Sequence, residues 1–447
     1  MQLRSADGCA GRESGTEVGG ADGIVVGVKL LDDLSARGLI HDTTDLAALA
    51  ARLDEGSVTL YYGCDPTADS LHAGNLIGLL TARRFQEAGH RPIMLAGGAT
   101  GMIGDPSGRS SERNLLDDDA LAHNLSYIVP QLEQFIEFGD GPNGAKLVDN
   151  RAWTVGVSVL DFLRDVGKHV TVNQMIAKES VKGRLNDGDG LSYTEFSYML
   201  LQAYDYLWLA ENEGCELQIG GSDQWGNIVL GVDLIRRKLG RKAAALTWPL
   251  LTKADGTKYG KTAGGETMWL GAHRLSPYGF YQGWIGADDG DLRKLLLQLT
   301  FMSVDEVEEA ARAHDADPSR RDGQRLLARE LTGLLHGVDA ARGAEEASRI
   351  LFGGGDVRSA SAEAFSVLGA ELGSTAVAGG AAVLDALVDS GLATSRGDAK
   401  RAMGEGGVYV DGERISDLEA MLPATPLAGG HHLLRRGKKR WHLLTVS

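Results

Sequence analysis

Along the first half of the chain, hydrophobic positions follow two alternating patterns. Short apolar runs, VTLYYG at 58–63, RPIMLAGG at 91–98, AKLVDN at 145–150, CELQIG at 215–220 and ALTWPLLT at 245–252, have the length of buried strands. Between them, apolar residues recur at helical spacing. The clearest case is LHAGNLIGLLTARRFQEAGH at 71–90, which carries basic residues near its end and a Gly stop. Further helical patterns lie at about 114–138, 158–167, 194–211 and 222–239. Strands that alternate with helices predict an α/β fold with a Rossmann-like parallel sheet covered on both faces. From 276 to about 350 the strand signal disappears and amphipathic helices take over, predicting an all-α domain. A stretch rich in Gly, Ala and Ser at 353–380 reads as a linker. Beyond it come two helical patterns and a hairpin turning at Asp411-Gly412, which predict a small α+β domain. The domain expectation is a loose tail at 1–27, a catalytic domain at 28–275, a helical domain at 276–352, a linker at 353–380 and a last domain at 381–447.

Composition narrows the function classes. With 447 residues, 43% hydrophobic and 24% charged, the chain is globular and long enough for about three domains. No apolar run approaches the roughly 18 residues of a membrane span, so no membrane partner is expected. Three cysteines at 9, 64 and 215 lack metal-type spacing and predict a reducing compartment, with the cytoplasm as default. The net charge of -16 disfavours a general nucleic-acid surface. It is uneven, however: residues 381–447 carry nine Lys and Arg against eight Asp and Glu. The densest basic run is RRGKKRWH at 435–442.

In a parallel sheet, ligands bind where strands end and loops lead into helices. GCDPTADSLHAGN at 63–75 stands at such a place, before a helix N-terminus that favours anions. Gly63 permits close approach, Pro66 fixes the turn, and Thr67, His72 and Asn75 offer donors to phosphate oxygens. GGATGMIGDPSGRSSER at 97–113 follows the next strand, with four glycines before Asp105 and with Arg109 and Arg113 beyond it. It lacks the Lys-Ser or Lys-Thr of a P-loop and is not a dinucleotide fingerprint. In YTEFSYMLLQAYDYLWL, Tyr198, Gln202 and Asp205 share one helical face. Buried polar groups of that kind are costly unless something pairs with them. LQIGGSDQWGN sets Gly221, Asp223 and Gln224 after another strand, and KADGTKYGKT carries Lys258 and Lys261 on a loop. Each run alone has a plainer reading as a capped turn, an aromatic core helix or a solvated charge pair. Together they point to a nucleoside triphosphate beside a small polar ligand.

HAGN at 72–75 and KYGKT at 258–262 are similar to the two signatures of class I aminoacyl-tRNA synthetases, His-Ile-Gly-His and Lys-Met-Ser-Lys-Ser. With YGCDPTADSLH, GGATGMIGDPSG, YMLLQAYD and LQIGGSDQWGN in matching order, the chain from about residue 30 onward resembles the bacterial tyrosyl-tRNA synthetases. The resemblance implies a ligase that activates L-tyrosine with ATP and Mg²⁺, then passes tyrosine to the 3′ end of tRNA(Tyr), without a tightly bound cofactor. It also implies a homodimer, a helical anticodon-binding domain and a C-terminal RNA-binding domain of the alpha-L type. By resemblance, Tyr61 and Asp205 hold the substrate phenol, Asp105, Tyr198 and Gln202 its ammonium, and Gln224 its carboxylate. Gly63, Asp65, Gly74, Gly221, Asp223 and Lys261 belong to the ATP and adenylate site. Thr67, His72, Asn75, Lys258 and Lys261 stabilise the reacting phosphates, and no metal site is built from side chains. Arg396, Lys400 and Arg401 lie on or near the helix presented to RNA.

Three other readings carry distinct expectations. A tryptophanyl enzyme on the same fold has an indole substrate with one donor and no hydroxyl, which leaves the Tyr61 and Asp205 pair without a purpose. Another nucleotidylyltransferase has no use for two RNA-binding modules. A non-catalytic RNA-binding scaffold has no need of Asp105, Gln202, Asp205 and both lysines.

Overall fold

The computed structural model describes residues 26–106, 116–186, 191–253, 256–257, 259–260, 265, 267–352 and 355–447. Among these, strands β1 (Asp42–Thr43), β2 (Thr59–Cys64), β3 (Arg91–Ala96), β4 (Lys146–Asp149), β5 (Leu217–Gly221) and β6 (Ala244–Trp248) form one sheet in the order β1-β6-β5-β2-β3-β4. All neighbours are parallel except the edge strand β1, which runs antiparallel to β6. Period-two alternation sorts side chains to opposite faces. Leu60, Tyr62, Cys64 and Met94 enter one apolar core with the helix Ala73–Glu87. Tyr61, Ile93 and Leu95 enter a second core beneath the helices Tyr193–Asn212 and Trp225–Leu239.

Close packing of the 73–87 helix on the sheet depends on Gly78. A Cβ at this position would meet the Tyr62 ring at 2.4 Å. The helix starts with a reciprocal cap: His72 Nδ1 accepts from the Gly74 amide at 3.1 Å and Asn75 Oδ1 accepts from the His72 amide at 3.1 Å.

The helices Pro277–Ile285, Leu292–Leu299, Val304–Ala316, Asp322–His336 and Val338–Phe352 extend the first core rather than building a separate one. Two buried arginines tie them to the sheet layer. Arg84 donates to the Thr300 carbonyl at 2.6 Å, and Arg37 donates to the Leu297 and Met302 carbonyls at 3.2 and 2.9 Å.

The expected linker at 353–380 contains regular structure instead. Within it lie the helix Ala362–Leu372 and strand β7 (Ser374–Val377). Ala364, Phe365 and Leu368 are buried, a helical spacing that the surrounding Gly, Ala and Ser had masked. The second sheet adds β8 (Val408–Val410), β9 (Glu413–Ile415), β10 (His431–Arg436) and β11 (Arg440–Val446), in the order β7-β11-β10-β8-β9. Asp411 and Gly412 close the β8–β9 hairpin as the sequence predicts, both with positive φ, 49° and 86°. The basic run 435–442 forms a second hairpin, closed by the Arg436 and Arg440 pair. One face of this sheet packs Leu434 and Leu444 against Leu384, Leu387 and Met403. The other sends Leu433 and Leu443 into the core that contains Phe365.

The contact at Gly78 has a measurable consequence. Gly78→Ala forces a methyl into an aromatic ring on a buried strand and is expected to lower the unfolding free energy by about 1–3 kcal/mol, the usual cost of overpacking. Chemical denaturation monitored by tryptophan fluorescence checks this; an unchanged midpoint would mean the helix has room to shift.

Candidate active site

Parallel strands bring the carboxyl ends of β2, β3 and β5 side by side, and a cavity of about 1030 Å³ opens there. Fourteen of the candidate residues from the sequence meet in its wall: Tyr61, Gly63, Asp65, Thr67, His72, Gly74, Asn75, Asp105, Tyr198, Gln202, Asp205, Gly221, Asp223 and Gln224. They come from the first strand-to-helix turn, the Gly-rich loop after β3, the 193–212 helix and the turn after β5. Lys258, Lys261, Arg109 and Arg113 lie outside the described residues.

On the buried side of the cavity, Asp205 is 3% exposed and both its oxygens are engaged. One accepts from Asn150 Nδ2 at 2.9 Å and the other from Trp153 Nε1 at 2.8 Å. Burial pushes this carboxyl up to about 7, against the pull of those two donors. Close by, Tyr61 is 2% exposed, and its hydroxyl has no hydrogen-bond partner. Burial, reinforced by the Asp205 charge, raises the Tyr61 phenol well above its ordinary value, so it stays a neutral donor. A buried carboxylate with further acceptor capacity and an unpaired phenol beside it suit a ligand hydroxyl that both gives and takes a hydrogen bond.

A second group of contacts lies between this pair and the strand ends. Asp65 accepts from Thr100 Oγ1 and Tyr198 Oη, both at 2.8 Å. While donating this hydrogen bond to Asp65, the Tyr198 hydroxyl keeps lone pairs to offer. Asp105 accepts from Gln224 Nε2 at 2.6 Å. Asn227 Nδ2 donates to the amide oxygens of Gln202 at 3.0 Å and Gln224 at 3.3 Å. With Asp65, Asp105, Asp205 and Asp223 in its wall, the described part of the cavity is anionic and favours an ammonium. Cys64 also lines the cavity, but burial pushes its thiol up to about 12, which rules it out as a thiolate nucleophile at neutral pH.

Two separate matches cover this architecture. The model of tRNA synthetases class I (W and Y) matches residues 53–353, and that of the tyrosine–tRNA ligase SYY-like C-terminal domain matches residues 368–444. The chain belongs to the class I tRNA synthetases of the tryptophan and tyrosine group. Among its relatives, the tyrosine–tRNA ligase of Opitutus terrae is 51% identical over 423 residues, 93% of this chain and 99% of that one. The tyrosine–tRNA ligase of Mycobacterium tuberculosis is 49% identical over 92% of this chain and 97% of its own. Among solved structures, a C-terminally truncated mitochondrial tyrosyl-tRNA synthetase of Aspergillus nidulans aligns with a TM-score of 0.64 at 30% identity, covering 72% of this chain and 94% of that one. A tryptophanyl-tRNA synthetase of Encephalitozoon cuniculi aligns with a TM-score of 0.53 at 14% identity, covering 70% and 88%, and shares the fold alone.

Within this synthetase, several residues that the sequence did not single out hold the candidates in place. Asn150 and Trp153 fix Asp205, Thr100 fixes Asp65, and Asn227 links Gln202 with Gln224. Asn150 directly follows β4, so its place at a strand end was the available signal; Asn227 looked like one more polar position on a helix. In the C-terminal domain, Arg396 is paired with Asp385 and Arg401 with Asp398, whereas Lys400 is exposed. Both arginines stay largely exposed and keep further N–H donors outside these pairs.

The Asp205 carboxyl sets a pH-dependent stability. Its folded value of about 7 exceeds the reference of 3.8, so the folded state binds more protons between these values and stability falls as pH rises through that window. The accumulated effect is about 4 kcal/mol at roughly 1.4 kcal/mol per pH unit, constant above pH 7. Urea unfolding of the synthetase and Asp205→Asn from pH 4 to 8 should show the variant gaining on the parent by about that amount. A parallel pH profile would remove the raised carboxyl from the account.

Proposed function

We propose that the chain is a tyrosine–tRNA ligase whose amino-acid site is formed by Tyr61, Asp105, Tyr198, Gln202, Asp205 and Gln224. The activity follows from the relatives at about 50% identity over nearly the whole chain. The observation that carries the site assignment is the buried Asp205 carboxylate beside the unpartnered Tyr61 hydroxyl. A tyrosine phenol donates to Asp205 and accepts from Tyr61. Phenylalanine would leave both buried groups without a ligand partner, and the indole of tryptophan could satisfy Asp205 but not the Tyr61 donor.

Asp105, Tyr198 and Gln202 then face the substrate ammonium, and Gln224 its carboxylate. That carboxylate is ionised at neutral pH, so activation requires no general base. Its oxygen attacks the α-phosphorus of ATP, the bond to the β-phosphate bridging oxygen breaks, and pyrophosphate leaves with the electron pair. The protein's task is alignment and stabilisation of the phosphate charge. Thr67, His72, Asn75, Lys258 and Lys261 are assigned to it. Asn75 is already engaged through its oxygen in the helix cap, which leaves its amide NH₂ as the donor end. Gly63, Asp65, Gly74, Gly221 and Asp223 take the adenosine side, and Mg²⁺ accompanies ATP as its phosphate counter-ion. In the second step, a terminal ribose hydroxyl of tRNA(Tyr) attacks the tyrosyl carbonyl and AMP departs.

The helices from 277 to 352 are assigned to the anticodon arm, and the C-terminal domain to RNA through Arg396, Lys400 and Arg401. No described helix is long and apolar enough to cross a membrane, and we place the enzyme in the cytoplasm. A homodimer is supported by an exposed apolar surface on the helices between 151 and 176. Val155, Val159 and Leu160 are 70–79% exposed there, with Leu163, Val172 and Ile176 around them.

Amino-acid-dependent exchange of labelled pyrophosphate into ATP tests activation without tRNA. Exchange with tyrosine and not with phenylalanine or tryptophan is expected; exchange with none of the three would leave only the RNA-binding scaffold. For the assembly, Leu160→Glu places a charge in the apolar surface and should shift sedimentation from dimer to monomer. A parent protein already monomeric at micromolar concentration would contradict the dimer.

A further inference from the structure

Lys178 is a half-buried lysine between the helices Val172–Ile176 and Glu179–Asn186, outside the cavity wall and unused by the mechanism above. Its Nζ donates to Asn227 Oδ1 at 3.2 Å. Its methylene stem runs beside Gly226, where a Cβ would meet its Cδ at 3.3 Å and its Cγ at 3.4 Å. Burial draws the ammonium down to about 7, with the Asp105 charge acting the other way. A lysine held at such a cost invites a reason other than solubility.

The reason lies in what an amide can and cannot do. Asn227 is 4% exposed, and its two ends are chemically opposite. Its oxygen faces the Lys178 ammonium, which has donors only. Its nitrogen must therefore face Gln202 and Gln224, and those two side chains must present their oxygens to it. The Gln224 nitrogen is then free to face an acceptor, and the Gln202 oxygen, fixed in place, keeps a second lone pair for a donor. Gln224 already spends one N–H on Asp105. Reversing Asn227 would set an NH₂ against an ammonium and a carbonyl oxygen against two carbonyl oxygens, so one cation fixes the sense of three amides.

We infer that Lys178 is a positioning residue for amino-acid binding: through Asn227 it orients the Gln202 and Gln224 amides, so that the Gln224 N–H end meets the tyrosine carboxylate while the Gln202 oxygen keeps a second lone pair for the ammonium. The inference rests on the amino-acid site proposed above. It requires no contact between Lys178 and substrate, and it separates the lysine from the phosphate-binding cations of the 258–261 loop.

Pyrophosphate exchange with full-length enzyme, varying tyrosine and ATP separately, tests it against five variants. Lys178→Met should raise the KM for tyrosine about tenfold, the effect of roughly one charge-assisted hydrogen bond, with the KM for ATP unchanged. Lys178→Arg supplies an alternative donor and should recover most of the loss. Asn227→Asp keeps a partner for the ammonium but cannot donate to either glutamine, so it should reproduce the tyrosine defect without leaving Lys178 unpaired. Because Lys178 acts through Asn227, combining Lys178→Met with Asn227→Asp should cost no more than the larger single effect. Gln202→Ala serves as the reference for the site. If it raises the tyrosine KM while Lys178→Met does not, the positioning role is overturned and the site stands; if neither moves it, the site assignment fails first. A Lys178→Met enzyme normal in exchange and defective only in tRNA charging would also overturn the inference, as would equal losses for tyrosine and ATP.

Discussion

The structure is organised around a carboxylate that the protein has taken out of water. Asp205 lies where solvent cannot reach it, and an ion in that place is tolerated only when donors surround it. Asn150 and Trp153 supply two, which constrains much of the neighbourhood. Trp153 has to stand at the start of the segment after β4 and stack on Trp208 of the 193–212 helix at 4.3 Å. Asn150 has to end the strand region and also serve the Gly-rich loop, since its oxygen accepts from the Ala99 amide at 2.7 Å. The same side chain thus ties the phenol end of the cavity to the loop that carries Asp105. The Asp205 carboxyl and the loop position are linked through one amide.

A second constraint is the polarity of the cavity. Four aspartates in its wall suit an amino acid's ammonium and repel a triphosphate. A ligand with an ammonium and a ligand with a triphosphate therefore place opposite demands on this wall. The 73–87 helix begins with a cap made from the first signature itself: His72 and Asn75 secure each other and the Gly74 amide, which satisfies donors at the helix N-terminus.

Much of this was legible in the sequence because strand ends are punctuated. Glycines at 63, 97, 98, 220 and 221 stop apolar runs, those at 63, 220 and 221 line the cavity, and the helical spacing of Tyr198, Gln202 and Asp205 puts them on one face. What was not legible falls into two kinds. The helix at 362–372 was hidden because Ala, Gly and Ser are common both to linkers and to tightly packed helices, and its few large apolar residues, Phe365, Val367, Leu368 and Leu372, stand among them. The supporting residues Asn150, Trp153, Asn227 and Lys178 were hidden because their partners lie 25 to 55 residues away. No local pattern announces such a pair. The Arg396 pair was hidden because its partner Asp385 belongs to the neighbouring helix, whereas the Arg401 partner Asp398 lies three residues back on the same helix.

The most direct test of the account is the ratio of kcat/KM for tyrosine over phenylalanine in pyrophosphate exchange, measured for the parent, Tyr61→Phe, Asp205→Asn and the double variant. Recognition of one hydroxyl by both groups predicts that each single substitution lowers the ratio at least tenfold, about 1.4 kcal/mol, and that the double variant falls short of the product of the two effects. A ratio unchanged by either substitution would contradict it, because the buried pair would then have no part in selecting the substrate.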